Sequence, residues 1–250
     1  MYDDDRYWEF HDRLTWESIK PHLPRIAPAN CCDLGCGTGK WGLKLLKSGF
    51  AVTFVDHSAA MIARTQEKLP EGPRGQRATL LVADIVRMPD LLDSSFDLVL
   101  AMGDPLSICS DPAAAAREML RITKPGGFVI ATADNKLAAL DYYLQKGELG
   151  ELAKFVATSR THWLTAAKQE QFELTTFTPG DFRGLMEKTG FETVRLMGKT
   201  ILPIRLYKDL LNEEGVMQQL LDLEMDLARD SSAAARAAHL QIIARRPVAT

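Results

Sequence analysis

The residues of this chain best placed to do chemistry are three aspartates, Asp33, Asp56 and Asp84, each following a short apolar run, and the first opens the loop Asp33-Leu34-Gly35-Cys36-Gly37-Thr38-Gly39. A carboxylate accepts hydrogen bonds from hydroxyls and amines and draws a cation to it. A glycine-rich turn at the head of a helix adds backbone N–H groups and the positive end of a dipole. That combination suits a nucleoside ligand. Asp33 narrows the choice, because a fixed negative charge at the loop entrance repels a pyrophosphate and favours a ligand bearing an ammonium and a sulfonium. Gly37-Thr38-Gly39-Lys40-Trp41-Gly42 does spell the G-x-G-x-x-G of dinucleotide sites. Its register is poor: that fingerprint puts its first glycine directly after the strand, where Gly35 stands, and the sixth residue counted from Gly35 is Lys40.

S-adenosylmethionine is a ligand of the required description. Asp56 lies 23 residues after Asp33, close to the roughly 20-residue offset at which an acidic side chain meets a ribose in nucleotide-binding units. Asp84 is similarly placed to accept from an adenine amine, with Ile85 as apolar cover for the ring. Singly, Asp56 also reads as a solvated strand-end aspartate and Asp84 as a turn or cap residue. Their recurrence at three successive strand ends favours a shared ligand crevice, since open α/β sheets bind ligands outside the carboxyl ends of their strands.

The elements that must position these residues alternate strand and helix through the first half of the chain, which predicts an α/β, doubly wound fold with a mostly parallel sheet. Strands are expected at Asn30–Leu34, Ala51–Val55, Ala78–Ala83, Phe96–Ala101 and Phe128–Ala133. Helices are expected over Lys40–Ser48, from Ser58 to Leu69, and from Asp111-Pro112 to the stop Pro125-Gly126-Gly127. The stretch from Asp134 to Pro179 is longer than an ordinary connection and reads as an insertion: helices around Leu137–Gln145 and Glu148–Ser159, then a hairpin across His162–Phe177. Thr178-Pro179 opens another helix, and Phe191–Met197 and His239–Ala244 supply two closing strands. Between them, Tyr207–Arg229 reads as one amphipathic helix packed on the sheet. The chain divides into an N-terminal helical cap (1–29), a cofactor-binding core (30–134), a substrate lid between the fifth and sixth strands (135–178) and closing elements (179–250).

Composition excludes other classes. The 250 residues are 46% hydrophobic and 25% charged with a formal net charge of −3, ordinary for one globular domain and without the basic excess of a nucleic-acid binder. No apolar run approaches the roughly 20 residues that span a bilayer. Met1–Asp5 is acidic and lacks the basic n-region of a secretion signal. Cys31, Cys32, Cys36 and Cys109 show no paired metal spacing and read as thiols of a reducing cytoplasm, with no metal expected.

On Asp33–Gly39, Val55-Asp56-His57-Ser58 with Met61 one turn later, Ala83-Asp84-Ile85, Phe96–Val99 and Leu120–Gly127, the chain resembles the class I S-adenosylmethionine-dependent methyltransferases. The resemblance spans residues 30–134. It implies a seven-stranded, Rossmann-like methyltransferase fold, with Gly35 and Gly37 approaching the methionine part of the cofactor and Cys36 and Gly39 completing the loop. It further implies that Asp56 binds both ribose hydroxyls, that His57 or Met61 lies against the adenine with Asp84 and Ile85 on its other edge, and that Ala101 and Met102 pass beneath the methionyl group. The N-terminal aromatics Tyr2, Tyr7, Trp8 and Phe10 either fold over the cofactor, as in such families, or are ordinary packing.

Methyl transfer is an in-line displacement that needs a base only when the acceptor must lose a proton. Asp104 and His162 are the expected catalytic residues, ahead of His11, Tyr142 and Tyr143. Gly103-Asp104-Pro105-Leu106 partly matches the acidic-Pro-Pro-aromatic loop of nucleic-acid amino-methyltransferases but lacks the second proline and the aromatic that would stack a base. The expected activity is methyl transfer to a small molecule, with no nucleic-acid or membrane partner. A protein that binds the cofactor without transfer, or uses it for another reaction such as a cyclisation, is the alternative.

Overall fold

The computed structural model describes residues 5–25, 29–162 and 172–248. Its first helix, α1 (Arg6–Ile19), is capped by Asp5, whose carboxylate accepts the Tyr7 N–H at 2.9 Å. Then follow β1 (Asn30–Leu34), α2 (Lys40–Lys47), β2 (Ala51–Asp56), α3 (Ala59–Glu67), β3 (Ala78–Val82) and β4 (Phe96–Ala101). A one-turn α4 (Pro105–Ile108), α5 (Pro112–Ile122) and β5 (Thr123–Asp134) complete the first half. The second half carries α6 (Leu140–Lys146), α7 (Leu149–Thr158), β6 (Arg160–His162), β7 (Glu173–Thr175), α8 (Pro179–Thr189), β8 (Glu192–Lys199), α9 (Val216–Leu227) and β9 (His239–Arg245).

Seven of these strands form one sheet in the order β3-β2-β1-β4-β5-β9-β8. The first five run parallel, while β9 is antiparallel to both β5 and β8. Strand order reverses between β1 and β4, so the tips of β1, β2 and β4 flank a topological switch point, where such sheets open a ligand crevice. Strand alternation then separates two cores. Cys32, Leu34, Val55, Val99 and Ala131 face one layer of helices, and Cys31, Phe54, Leu98, Leu100 and Ile130 the other. Both faces are covered, which is why these strands read as continuous apolar runs rather than alternating ones.

Three expectations are corrected. Pro125-Gly126-Gly127 does not end the preceding helix: α5 stops at Ile122, and the prolyl-glycyl run is a bulge inside β5, so that Phe96 pairs with Thr123 but Leu98 with Phe128. Proline supplies no ladder N–H, and Gly126 takes a φ of +80°, so the run bends the strand without ending it. The expected long helix over 207–229 is two pieces, a 3-10 segment (Ile204–Asn212) and α9, parted at Gly215 with φ +77°. Its apolar stripe meets α1, not the sheet: Tyr7, Phe10 and Leu14 pack on Ile204, Leu211, Met217 and Leu221.

In the insertion, β6 and β7 pair antiparallel, Thr161 opposite Leu174. The part of the expected hairpin at 163–171 lies outside the described residues, as does Tyr2. A bridge between Asn135 and Phe177 ties both ends of the insertion to the tip of β5, and β7 packs against α4. No helix among the described residues is long and apolar enough to cross a membrane.

Candidate functional site

The glycine loop is organised by the carboxylates beneath it. Asp33, only 1% exposed, accepts the Gly42 N–H at 2.7 Å through Oδ2 and so holds the first turn of α2 to β1. A side chain at Gly42 would strike the Phe54 ring and come within 2.9 Å of that carboxylate oxygen. Asp33 is thus buried under the loop and not at its entrance. Burial pushes its pKa up to about 7, against the Gly42 hydrogen bond and with the nearby Asp56 charge adding to the rise. Its Oδ1 is buried without a hydrogen-bond partner. An orphaned buried acceptor carries a cost that a donor from a bound ligand would relieve.

Asp56 ties the second strand to the loop from the first. Its Oδ2 accepts the Gly37 N–H at 2.8 Å and its Oδ1 the Ser58 N–H at 2.9 Å. Each carboxylate oxygen keeps further lone-pair capacity, enough for a ribose diol. The Thr65 hydroxyl donates to the Gly37 carbonyl at 3.0 Å, which fixes the loop from α3. Gly35 takes φ +61° and lies so close to Pro105 that a Cβ would come within 2.9 Å of it, which presses the tip of β1 against the turn after β4. Gly37 also has positive φ, yet a Cβ there would meet nothing within 4 Å.

Gly35, Asp56, His57, Asp84 and Ile85 line one cavity of about 270 Å³, joined by Gly103, Pro105 and Cys109. Asp84 makes an Asx turn, accepting the Val86 N–H at 3.1 Å, and Ile85 is buried beside it. The remaining expected residues are not part of this lining. Gly39 takes φ +80° at the start of α2, where a Cβ would lie 2.7 Å from Thr65, so its glycine serves packing between α2 and α3. Ala101 and Met102 are buried at the end of β4, one in each core face, and Met61 lies in the first turn of α3. Cys36 donates its N–H to the Val55 carbonyl at 3.0 Å while burial pushes its thiol far up, which leaves the sulfur inert.

The two expected catalytic residues do not meet. His162 borders a separate cleft with Tyr143, Lys154 and Glu173, because the β6–β7 pairing carries it over α6 and α7. Tyr143 is committed to a buried contact of 2.6 Å between its hydroxyl and that of Thr161. Asp104 turns elsewhere. Its backbone sits at φ +61°, uncommon for a non-glycine residue, and the Gly103 and Asp104 N–H groups both donate to Thr132 Oγ1 at 3.0 Å.

That turn delivers the Asp104 carboxylate to a cluster the sequence reading missed. Asp104 Oδ2 is 2.8 Å from His239 Nδ1, and Asp134 Oδ1 is 3.8 Å from the same nitrogen. Lys199 is 2% exposed at the end of β8, and the His11 ring meets the His239 ring edge-on at 5.9 Å. Burial would raise the Asp104 pKa, but His239 and Lys199 hold it down to about 2. Burial, reinforced by Asp104, lifts Asp134 to about 7. Burial lowers Lys199 to about 8 and His11 to about 4. For His239, burial works against the charged form, and Asp104 and Asp134 more than restore it, so its pKa is raised. Asp134 was within reach of the strand-end argument. His239 and Lys199 were not, since only the register Asp134 opposite His239 and His239 opposite Lys199 brings them in. Of the N-terminal aromatics, Tyr7 and Phe10 are buried against the 204–221 region, and Trp8 lies edge-on to Tyr7 and His11.

Comparison with known proteins agrees with the fold. Residues 31–127 match the family model described as a methyltransferase domain. A demethylmenaquinone methyltransferase of Staphylococcus aureus is 30% identical over 176 residues, covering 67% of this chain and 70% of its own length. An uncharacterised chloroplastic methyltransferase of Arabidopsis thaliana is 31% identical over 47% of this chain and 34% of its own length. The demethylmenaquinone methyltransferase of Lactiplantibacillus plantarum is 34% identical over 41% of this chain and 44% of its own length, so the chain spans less than half of these two relatives. Among solved structures, an S-adenosylmethionine-dependent methyltransferase of Methanosarcina mazei has the same fold, with a TM-score of 0.67, 20% identity, and coverage of 93% of this chain and 98% of that one. The cyclase SpnF shares it at a TM-score of 0.62, 20% identity, and coverage of 95% and 82%.

Proposed function

This chain belongs to the class I S-adenosylmethionine-dependent methyltransferases, and on that premise we propose that it transfers a methyl group from S-adenosylmethionine to a small-molecule acceptor bound beside the Asp104 turn. The observation that carries the reading is one cavity at the sheet's switch point whose wall combines the glycine loop, the Asp56 carboxylate and the Asp84-Ile85 turn. The bound cofactor supplies an electrophilic methyl group on a positively charged sulfur. The protein's share is to hold and orient it. Asp56 would take the ribose hydroxyls on its unused lone pairs, and Asp84, Ile85 and His57 would frame the base, while the orphaned Asp33 Oδ1, buried outside that lining, would receive the ammonium. Gly35 and Gly37 would let the backbone approach.

Catalysis then rests mainly on keeping acceptor and methyl at contact distance away from water. The packing of β7 on α4 and the position of α1 beside Asp104 support an enclosure built from the described parts of the insertion, 135–162 and 172–178, and from α1. A small acceptor is favoured over a nucleic acid because Ser107, where a stacking aromatic would stand, is buried and accepts the Asp134 N–H at 2.9 Å. The relatives named for demethylmenaquinone point the same way. Free thiols throughout the core support a reducing compartment, the cytoplasm.

Calorimetry with S-adenosylhomocysteine and with NAD, followed by incubation with methyl-labelled S-adenosylmethionine and a panel of phenols, amines and acids, tests the reading. Binding of the first ligand, none of NAD, and label on one acceptor class is the expected result. Tight binding without transfer to any acceptor would favour the alternative in which the fold serves another reaction.

A further inference from the structure

The Asp104 cluster is an expensive arrangement for mere structure. A charge buried at a strand tip loses its hydration unless it is well paired, and here two carboxylates, two histidines and a lysine, all ionisable, converge from five different elements. The position is informative too: Gly103 and Pro105 line the cofactor cavity, and Asp104 lies between them. His239 is the member arranged to work. Its Nδ1 is buried 2.8 Å from Asp104 Oδ2, in a charge contact that falls short of hydrogen-bond geometry, while its side chain remains 26% exposed and its other ring nitrogen, Nε2, is left out of that contact. A carboxylate on one imidazole nitrogen fixes the ring and stabilises the imidazolium that forms when the other nitrogen accepts a proton.

We propose that His239, oriented by Asp104, takes the proton of the methyl acceptor, and that the acceptor class is therefore one with an O–H or N–H proton to lose. This rests on the methyl-transfer reading above. The acceptor oxygen or nitrogen forms its new bond to the methyl carbon, the carbon–sulfur electron pair stays on sulfur, and the acceptor's proton passes to Nε2, then to solvent. Asp104, expected from sequence to act as the base, becomes the positioning residue. The charges facing His239 are Asp104, Asp134 at the tip of β5 and Lys199 at the end of β8, with His11 of α1 against its ring and the Asp12–Lys40 pair beyond. Because its neighbours favour the imidazolium, the base form grows as pH rises, and turnover should rise with it.

Two measurements on the full chain test this. In imidazole nitrogen-15 NMR of the S-adenosylhomocysteine complex from about pH 5 to about pH 9, His239 should titrate above the ordinary value of about 6.5, and Asp104→Asn should bring it down. A His239 signal indifferent to Asp104→Asn would overturn the pairing. With methyl-labelled S-adenosylmethionine and phenol, amine and thioether acceptors, His239→Asn should lower kcat by about 10²- to 10⁴-fold while affinity for S-adenosylhomocysteine stays unchanged, and the inflection of the pH profile should vanish. His239→Gln, checked for folding by thermal melting, serves as the second variant. Turnover within about threefold of wild type, or transfer to a thioether alone, would overturn the proposal. So would stoichiometric uptake of Zn²⁺ that His239→Asn abolishes, since Asp104, Asp134 and His239 lie within 4.8 Å of one another and would then be metal ligands. Transfer by wild type with His239→Asn intact sinks only this assignment. No transfer at all sinks the methyl-transfer reading itself.

Discussion

The proposed cofactor half of the site and the proposed acceptor half are assembled by opposite means. On the first, each aspartate is held by backbone N–H groups of the glycine loop, the helix after it or its own turn: Asp33 by Gly42, Asp56 by Gly37 and Ser58, Asp84 by Val86. On the second, Asp104 and Asp134 meet His239, Lys199 and His11, side chains drawn from both ends of the chain, and charge balance rather than backbone donors holds them. Backbone-held carboxylates form a rigid receptor for a constant ligand. A cluster held by charge responds to protons and to whatever charge the acceptor brings, which suits the part of the site that must change state during a turnover.

The strongest way to break this contrast is through Lys199. Its folded pKa of about 8 lies below the ordinary 10.5, so between those pH values the unfolded chain keeps a proton that the folded chain has released, and stability rises with pH. The full span is worth roughly 3 kcal/mol. Urea unfolding near each limit should show that gain in wild type and not in Lys199→Met. If both respond alike, the fold does not penalise the Lys199 charge, and burial does not set the protonation state of the acceptor half.

Asp56→Ala tests the other half. It removes the acceptor for two backbone N–H groups and for the proposed ribose contact, so S-adenosylhomocysteine should bind more weakly by about 1–3 kcal/mol in calorimetry. The His239 titration should not move, because the two halves are built independently. Asn135→Ala should act in the reverse sense. The Asn135 side-chain amide donates to the carbonyls of Ala234, Ala235 and Ala237, just before β9. Its loss should cost about 1–3 kcal/mol of stability and shift the His239 signal, with cofactor affinity nearly unchanged.

The smallest effect sharpens the contrast. Asp33 is the one cofactor-side carboxylate that behaves like the acceptor cluster, with a pKa raised to about 7 and an unmet oxygen. If it receives the ammonium as an anion, affinity for S-adenosylhomocysteine should fall by close to tenfold for each pH unit below about 7, and Asp33→Asn should flatten that dependence. A flat wild-type profile would mean that Asp33 serves only the turn of α2.

Residues 30–134 were largely legible because their signals are local. Apolar runs fixed the strands, Ser58 and Asp111 capped the helices they precede, and the spacing of Asp33, Asp56 and Asp84 marked consecutive strand ends. Where the reading failed, a local signal had two physical outcomes. Pro125-Gly126-Gly127 can end a helix or bulge a strand, and only the pairing of β5 with β4 chose between them. The stripe over 207–229 can cover a sheet or another helix, and the presence of α1 decided it.

By itself the sequence determined the cofactor half, since a strand, a glycine turn and a carboxylate a few residues apart define one another wherever the unit is placed. Only the tertiary structure decided the acceptor half. His239 has no neighbour in sequence that hints at its partner. It reaches Asp104 because β9 inserts antiparallel between β5 and β8 in one register, and a slip of one residue would turn the imidazole to the opposite face of the sheet.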